Sequence, residues 1–498
     1  MTHFSFYSCV HALRRALCLV LGVLAGAALA QQPPATANAL PPSVTRALAA
    51  AQVPASAVAM MVMPLPAAGD AAAPAPLLAW RAEEPMNPAS VMKLVTTYAG
   101  LDALGPAYFW RTRIEASGRI EDGTLHGNLL VRGSGDPKLV IERLTDLIAA
   151  IQEKGVRSIT GDILLDHSIF DLPEHDAAAF DRDPLRAYNV GPDGLLMNFT
   201  TLVLSFEPDG NGGVRVGSEP PLAGVYVPAT VPAGKGACGD WATRLGASFA
   251  DGAQEVRFAG RYPTSCGART LTLAYADQGN FAPRMFEGVW RASGAQLGGR
   301  ARWLQSYELL PNPTPLVTGY SLPLREIIAD INKFSNNVMA QQLFLTLSAH
   351  SGGKGSFAAS RQWLAGWWQQ RFGVQVAAPQ IDNGAGLSRT ARVSAASLAA
   401  LLTHAAGSAH AQDFEQSLSI AGVDGTAKRM GKRSPGSVAL GRVTMKTGTL
   451  RDVAAVAGYA YGMSGRKYAV IGLVNHPNAG AARPALDRLL EWAVMDGQ

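Results

Sequence analysis

Asn87-Pro88-Ala89-Ser90-Val91-Met92-Lys93-Leu94-Val95 opens with a residue that caps helices and a proline suited to a first helical turn. Val91, Leu94, Val95, Tyr98 and Leu101 recur at i, i+3, i+4, i+7 and i+10, so a helix with one buried face is expected here. Ser90 and Lys93 then share a helix face one turn apart. Ser90 also falls in the first turn, where free N–H groups and the positive end of the helix dipole favour developing negative charge. A serine is a weak nucleophile until a neighbour takes its proton. A lysine, with a free-state pKa of about 10.4, can do so only where burial or another cation disfavours its charge. The pair therefore requires a second positive group nearby.

S-x-x-K on its own carries little weight. It recurs at Ser351-Gly352-Gly353-Lys354, where the glycines give no helix to hold the two side chains together. Two companions make the case at Ser90. Ser335-Asn336-Asn337 follows a helical pattern of Leu324, Ile327, Ile328, Ile331 and Phe334, and offers a hydroxyl and an amide. Lys446-Thr447-Gly448 ends a strand signal that starts at Val443. Lys446 supplies the second cation, Thr447 can bind a carboxylate, and Gly448 lets a substrate approach the strand closely. S-x-x-K, S-x-N and K-T-G in this order form the serine set of penicillin-binding proteins and β-lactamases.

Further runs narrow the resemblance. They are Gly133-Ser134-Gly135-Asp136-Pro137, Tyr188-Asn189-Val190-Gly191-Pro192-Asp193, Asp382-Asn383-Gly384-Ala385-Gly386-Leu387-Ser388-Arg389 and Ala421-Gly422-Val423-Asp424-Gly425-Thr426. With them the chain resembles the class C low-molecular-mass penicillin-binding proteins, serine-type D-Ala-D-Ala carboxypeptidase/endopeptidases, from about residue 40 to the C-terminus. Asn383 stands where many relatives have glycine. The long separation of Lys93 from Ser335 also fits that family better than a β-lactamase.

The resemblance implies a set of roles. Ser90 attacks the carbonyl between two D-alanines, Lys93 accepts its proton, and Ser335 relays a proton to the leaving amine. Asn337 orients the substrate backbone, Lys446 keeps the local field positive, and Thr447 helps hold the terminal carboxylate beside Gly448. The N–H groups of Ser90 and Thr449 form the oxyanion hole. The division of base duty between Lys93 and a Ser335/Lys446 pair stays open at this point. Arg389 and Asp166 are candidates for contacting the stem peptide, with a surface ion pair as the alternative for each. The implied partners are peptidoglycan peptides, with β-lactam antibiotics as covalent inhibitors. A serine β-lactamase and a catalytically silent wall-binding scaffold are the rival readings.

The fold class expected is α/β: a β-lactamase/transpeptidase-like catalytic domain, an antiparallel sheet flanked by helices, with a large β-rich inserted domain. Residues 31–110 and 300–498 are assigned to the catalytic domain, and residues 31 to about 45 to a Pro/Ala-rich lead-in. Short apolar runs such as Ile163-Leu164-Leu165 and Val214-Arg215-Val216, and the hairpin signal Asp122-Gly123, mark 111–299 as the insertion. It is read either as one unit or as two subdomains split near residue 190.

At the N-terminus, Arg14-Arg15, the apolar run Ala16 to Ala30 and the small residues of Ala28-Leu29-Ala30 form a cleavable signal peptide over 1–30. An uncleaved anchor is the alternative, but the run is short for a span of about 20 residues. Export, to the periplasm, with at most peripheral membrane contact, is the expectation. Cys238 and Cys266 are the two cysteines beyond that segment, and an oxidising compartment suits a disulfide between them. Composition agrees with a folded protein: 48% hydrophobic and 16% charged residues. The net charge of +5 is spread without any basic block, which argues against nucleic acid.

Other signals are set aside. Gly234-Lys235-Gly236-Ala237-Cys238-Gly239 opens no helix and is read as a turn, not a dinucleotide site. His404 and His410 lack a metal-ligand spacing, so neither a metal nor a cofactor is expected. Trp363, Trp367 and Trp368 sit at helical spacing and are assigned to the core. Nothing in the sequence signals an oligomeric state.

Overall fold

The structure is a computed structural model and describes residues 38–66, 74–308 and 313–498. The expected signal peptide lies outside the described residues. Six antiparallel strands form the central sheet, in the order Ser419–Ile420, Val443–Leu450, Val453–Tyr461, Lys467–Asn475, Val58–Pro64 and Leu78–Trp80. Strands Val58–Pro64, Val453–Tyr461 and Lys467–Asn475 are apolar along most of their length because both faces are covered, whereas Val443–Leu450 carries Lys446 and three threonines. Ala455, Ala457, Tyr459, Ala469, Ile471 and Leu473 point into one core, which holds helices Lys93–Leu104, Leu324–Phe334, Asn337–His350 and Ala395–Ala406. The alternate residues Ala454, Val456, Val470 and Val474 point into the other, against Pro42–Ala50 and Arg483–Val494. The result is the expected α/β/α sandwich.

The Pro/Ala-rich lead-in ends earlier than the sequence suggested. Helix Pro42–Ala50 starts on prolines tolerated in a first turn and buries Val44 and Leu48 against the C-terminal helix. In that C-terminal helix Leu486, Leu489, Leu490 and Val494 are fully or almost fully buried, each worth roughly 1.5–3 kcal/mol.

Between the first and second parts of the sandwich lie three further sheets. A seven-stranded one is built on the hairpin Arg111–Glu121/Thr124–Arg132, whose two-residue turn has Asp122 and Gly123 both at positive φ (46° and 81°). Helix Ile141–Glu153 then crosses over to Ile163–Asp166, parallel to Thr124–Arg132. A five-stranded sheet and a two-stranded ribbon occupy 201–274. The buried side chains of these sheets merge into one continuous core. The boundary expected at 299 falls inside the seven-stranded sheet: strand Thr314–Tyr320 pairs with Arg111–Ala116, on the other side of a segment outside the description. That edge strand is largely exposed, so it lacked the alternating apolar signature. The region is also less purely β than expected. Helices Ile141–Glu153 and Phe281–Ala292 both bury an apolar face in its core.

Cys238 and Cys266 are joined as a disulfide, with Cα atoms 4.8 Å apart. Among the described residues no helix is long and apolar enough to cross a membrane.

Candidate active site

Three segments converge at the edge of the central sheet. Asn87 organises the first. Its side-chain oxygen accepts from Ala89 N at 2.8 Å, and its amide donates to Ser388 O at 2.9 Å. Its backbone exchanges two hydrogen bonds with the Asn475 side chain, at 2.8 and 2.9 Å. Ala89 is consequently held at φ 47°, a left-handed conformation that a residue with a Cβ rarely adopts. Ser90 follows within the 3-10 turn Ala89–Met92, and the α-helix proper begins at Lys93. Packing enforces the strain. A Cβ on Gly386 would lie 2.0 Å from Ala89 O, and one on Gly448 would lie 2.4 Å from Pro88 O. Gly448 is thus needed for the nucleophile turn to sit on the strand, besides any room it leaves for a ligand.

Lys93 is fully buried and its Nζ lies 3.1 Å from Ser90 Oγ, 2.6 Å from Asn337 Oδ1 and 2.6 Å from the Ala385 carbonyl oxygen. Burial, and then the charge of Lys446, hold its pKa well below the ordinary lysine value. Lys446 is also fully buried and is pushed down to about 7 by desolvation. Its ammonium donates to Ser335 Oγ at 2.9 Å and Thr447 O at 2.8 Å. Ser335 sits in the left-handed region at φ 60°, capping the end of helix Leu324–Phe334. The next helix starts at Asn337 with Asn336 as its cap, accepting from Met339 N at 3.1 Å. Ser90, Lys93 and Asn337 are joined by hydrogen bonds and Lys446 and Ser335 by another. The two groups meet as one site, with Ser90, Ser335 and Asn337 on a shared cavity and the Lys446 charge acting on Lys93. This site places two lysines with weakened proton affinity beside two hydroxyls, an arrangement that can activate a serine and carry a proton away from it.

A cavity of about 1210 Å³ opens over this cluster. Ser90, Ser335, Asn337, Thr447, Gly448 and Thr449 line it, and so does Arg389. The Arg389 guanidinium lies 4.5 Å from the Phe180 ring centroid and 3.4 Å from Asp452. Asp166 is not a lining residue. Its carboxylate pairs with Arg132 at 2.5 Å and accepts from Ser168 N at 2.9 Å. Ser351 to Lys354 form an exposed turn. Trp367 and Trp368 are buried, and His404 is bonded to the Tyr98 hydroxyl at 2.7 Å.

Several contributors escaped the sequence reading. The Ala385 carbonyl is aimed at Lys93 by a loop that Asn383 braces, accepting from Ala385 N at 3.1 Å and donating to Leu387 O at 2.9 Å. Tyr188, from the region between the two parts of the sandwich, accepts through its carbonyl from Asn337 Nδ2 at 3.0 Å. Thr426 is joined to Thr447 through their hydroxyls at 2.7 Å. The motif runs that contain Asn383, Tyr188 and Thr426 are legible in the sequence, but the atom each contributes is not.

The sequence profile of the D-Ala-D-Ala carboxypeptidase 3 (S13) family matches residues 43–493. The chain belongs to this family. A D-alanyl-D-alanine carboxypeptidase of an Actinomadura species is 29% identical over 445 residues, covering 82% of this chain and 78% of that protein. The D-alanyl-D-alanine carboxypeptidase DacB of Haemophilus influenzae is 26% identical over 403 residues, covering 79% and 81%. In fold, the chain is similar to the crystal structure of Haemophilus influenzae penicillin-binding protein 4. The TM-score is 0.70 at 21% identity, covering 90% of this chain and 99% of that one. A predatory endopeptidase of Bdellovibrio bacteriovorus shares the fold more distantly, with a TM-score of 0.52 at 16% identity, covering 88% and 93%.

Proposed function

We propose that this S13 enzyme is a serine-type D-Ala-D-Ala carboxypeptidase and DD-endopeptidase that hydrolyses peptidoglycan stem peptides and cross-links through a Ser90 acyl-enzyme. The observation that carries the reading is the buried Lys93, 3.1 Å from Ser90 Oγ, with Lys446 lowering its proton affinity further. The neutral lysine takes the serine proton as Oγ attacks the carbonyl. The Ser90 and Thr449 N–H groups stabilise the oxyanion, each worth about 2.7–4 kcal/mol if lost. The C–N bond then breaks, an ester forms on Ser90, and a proton reaches the leaving nitrogen through the Ser335 hydroxyl, which Lys446 holds at 2.9 Å. Water releases the acyl group and restores the serine. Thr447, fixed by Thr426, receives the carboxylate next to the leaving nitrogen. Asn337 aligns the peptide and Arg389 the stem.

The same chemistry makes Ser90 a target for β-lactams. The Haemophilus influenzae penicillin-binding protein 4 is also known in complex with one. Export through a signal peptide at 1–30, to the periplasm, belongs to the same reading, and the Cys238–Cys266 disulfide supports it. The test is incubation with purified muropeptides and mass analysis of the products. We expect loss of one alanine from pentapeptides and conversion of cross-linked dimers to monomers, both abolished by Ser90→Ala. Rapid turnover of penicillin with muropeptides left intact would make the protein a β-lactamase, and no reaction with either would leave only a scaffold.

A further inference from the structure

The cavity over Ser90 does not stop at the motif strand; it continues around the strand's edge to the opposite face of the sheet. Strand alternation sets this up. Lys446 and Gly448 face the nucleophile turn, so Met445, Thr447 and Thr449 face the other way. There the cavity has an apolar floor of buried residues, Met430, Met445, Val456 and Leu486 among them. Around the floor stand Arg429, Arg451 and Arg483, contributed by three separate segments. Charge balance sets these apart from two other arginines of the lining. The neighbouring Arg433 is neutralised by Asp487 through two bonds at 2.6 and 2.7 Å, and Arg389 by Asp452. None of Arg429, Arg451 and Arg483 has a carboxylate partner among the described residues; Arg483 reaches only Thr449 Oγ1, at 3.4 Å. In the whole cavity lining six arginines face a single carboxylate, Asp181, which is already engaged by Tyr188 and Asn189.

We propose that this rear lobe is the binding site for the leaving half of a cross-link, a peptide that carries carboxylates beyond the one beside the scissile bond. The inference rests on the DD-peptidase reading and adds a substrate preference to it. With Thr447 holding the first carboxylate, whatever is attached to the leaving nitrogen extends past Thr449 into the lobe. A single D-alanine ends at Thr447 and leaves the lobe unused. A second stem peptide reaches the three guanidinium groups, which bind carboxylates well because their forked donors match the anion. The apolar floor accommodates the aliphatic part of the diamino acid that joins the two stems.

The experiment compares wild type with the double variant Arg429→Gln/Arg483→Gln on two substrates, a D-Ala-D-Ala pentapeptide and a cross-linked muropeptide dimer. Fluorescent penicillin labelling of both proteins confirms an intact nucleophile. We expect kcat/KM for the dimer to fall about tenfold or more, mainly through KM, as for loss of charge-assisted contacts. Pentapeptide hydrolysis and labelling should stay within about threefold. Dimer cleavage by the wild type should also decline more steeply with salt than pentapeptide cleavage. Equal loss on both substrates, loss on neither, or a wild type that cuts the pentapeptide but not the dimer would overturn the proposal. If the variant fails to fold and loses its labelling, the wild-type salt comparison decides, and equal slopes overturn it. Failure of the underlying reading is distinct, since the wild type would then cut neither substrate.

Discussion

Replacing Lys446 by methionine separates what this ammonium contributes to chemistry from what it costs the fold. Lys446 is fully buried, and burial takes its pKa from 10.5 to about 7. One pKa step corresponds to about 1.4 kcal/mol, so holding the proton costs the folded state about 5 kcal/mol at pH values below 7. Between pH 7 and 10.5 the unfolded chain binds more protons at this position. Stability therefore rises with pH across that window, and the penalty is complete beneath it. Methionine has a similar length and no charge to desolvate. It also leaves Ser335 Oγ and Thr447 O without their donor, a loss of roughly 1–3 kcal/mol. We expect Lys446→Met to be more stable than wild type by about 2–4 kcal/mol at pH 6. By pH 10 that advantage disappears or reverses. Acylation by penicillin should nevertheless slow at least a hundredfold, about the scale of a lost acid–base contribution, because Lys93 loses the cation that disfavours its proton. Thermal unfolding followed at both pH values, beside the acylation rate, tests both halves. A variant destabilised by the same amount at pH 6 and pH 10 would refute the burial penalty.

Gly386→Ala places a Cβ at φ 74° and 2.0 Å from Ala89 O, so we expect more than about 2 kcal/mol of destabilisation and slower acylation, read by melting and penicillin labelling. Asn383→Ala frees the loop that aims the Ala385 carbonyl at Lys93. A loss of about 1 kcal/mol, or roughly fivefold in acylation rate, should follow with little change in melting temperature. Replacing Cys238 and Cys266 together by alanine should lower stability by about 3 kcal/mol, measured by thermal unfolding, and leave the acylation rate of the folded enzyme unchanged.

What could be read in advance followed from where the signals are local. The Leu324–Phe334 helix carries a strong period, and the strands at 453–475 carry apolar runs. The helix Lys93–Leu104 is signalled by Asn87-Pro88, although it proves buried on every side through Leu101. The motif residues have side chains whose chemistry announces itself. Strand Val58–Pro64 is placed by a partner far along the chain, Lys467–Asn475, and its other neighbour, Leu78–Trp80, is only three residues long, too short to show a period in the sequence. The helix at Ile141–Glu153 was legible in principle, since Leu144, Leu147, Ile148 and Ile151 have the right spacing, but the surrounding Gly- and Pro-separated runs suggested strands. Other features had no local signal at all. The left-handed backbone of Ala89 and Ser335 is imposed by packing, and Ala385 acts through a carbonyl that every residue possesses. Arg429, Arg451 and Arg483 come together only in the folded chain.

The central claim is that the buried Lys93, its proton affinity lowered by burial and by Lys446, turns Ser90 into the nucleophile. Peptide mapping by mass spectrometry after brief exposure to benzylpenicillin tests it most directly, because Ser90 lies in the tryptic peptide spanning residues 82–93. We expect one penicilloyl group per chain, in that peptide and on Ser90, forming faster as pH rises and absent in Lys93→Met. An adduct on another peptide, or unchanged acylation in Lys93→Met, would contradict the account.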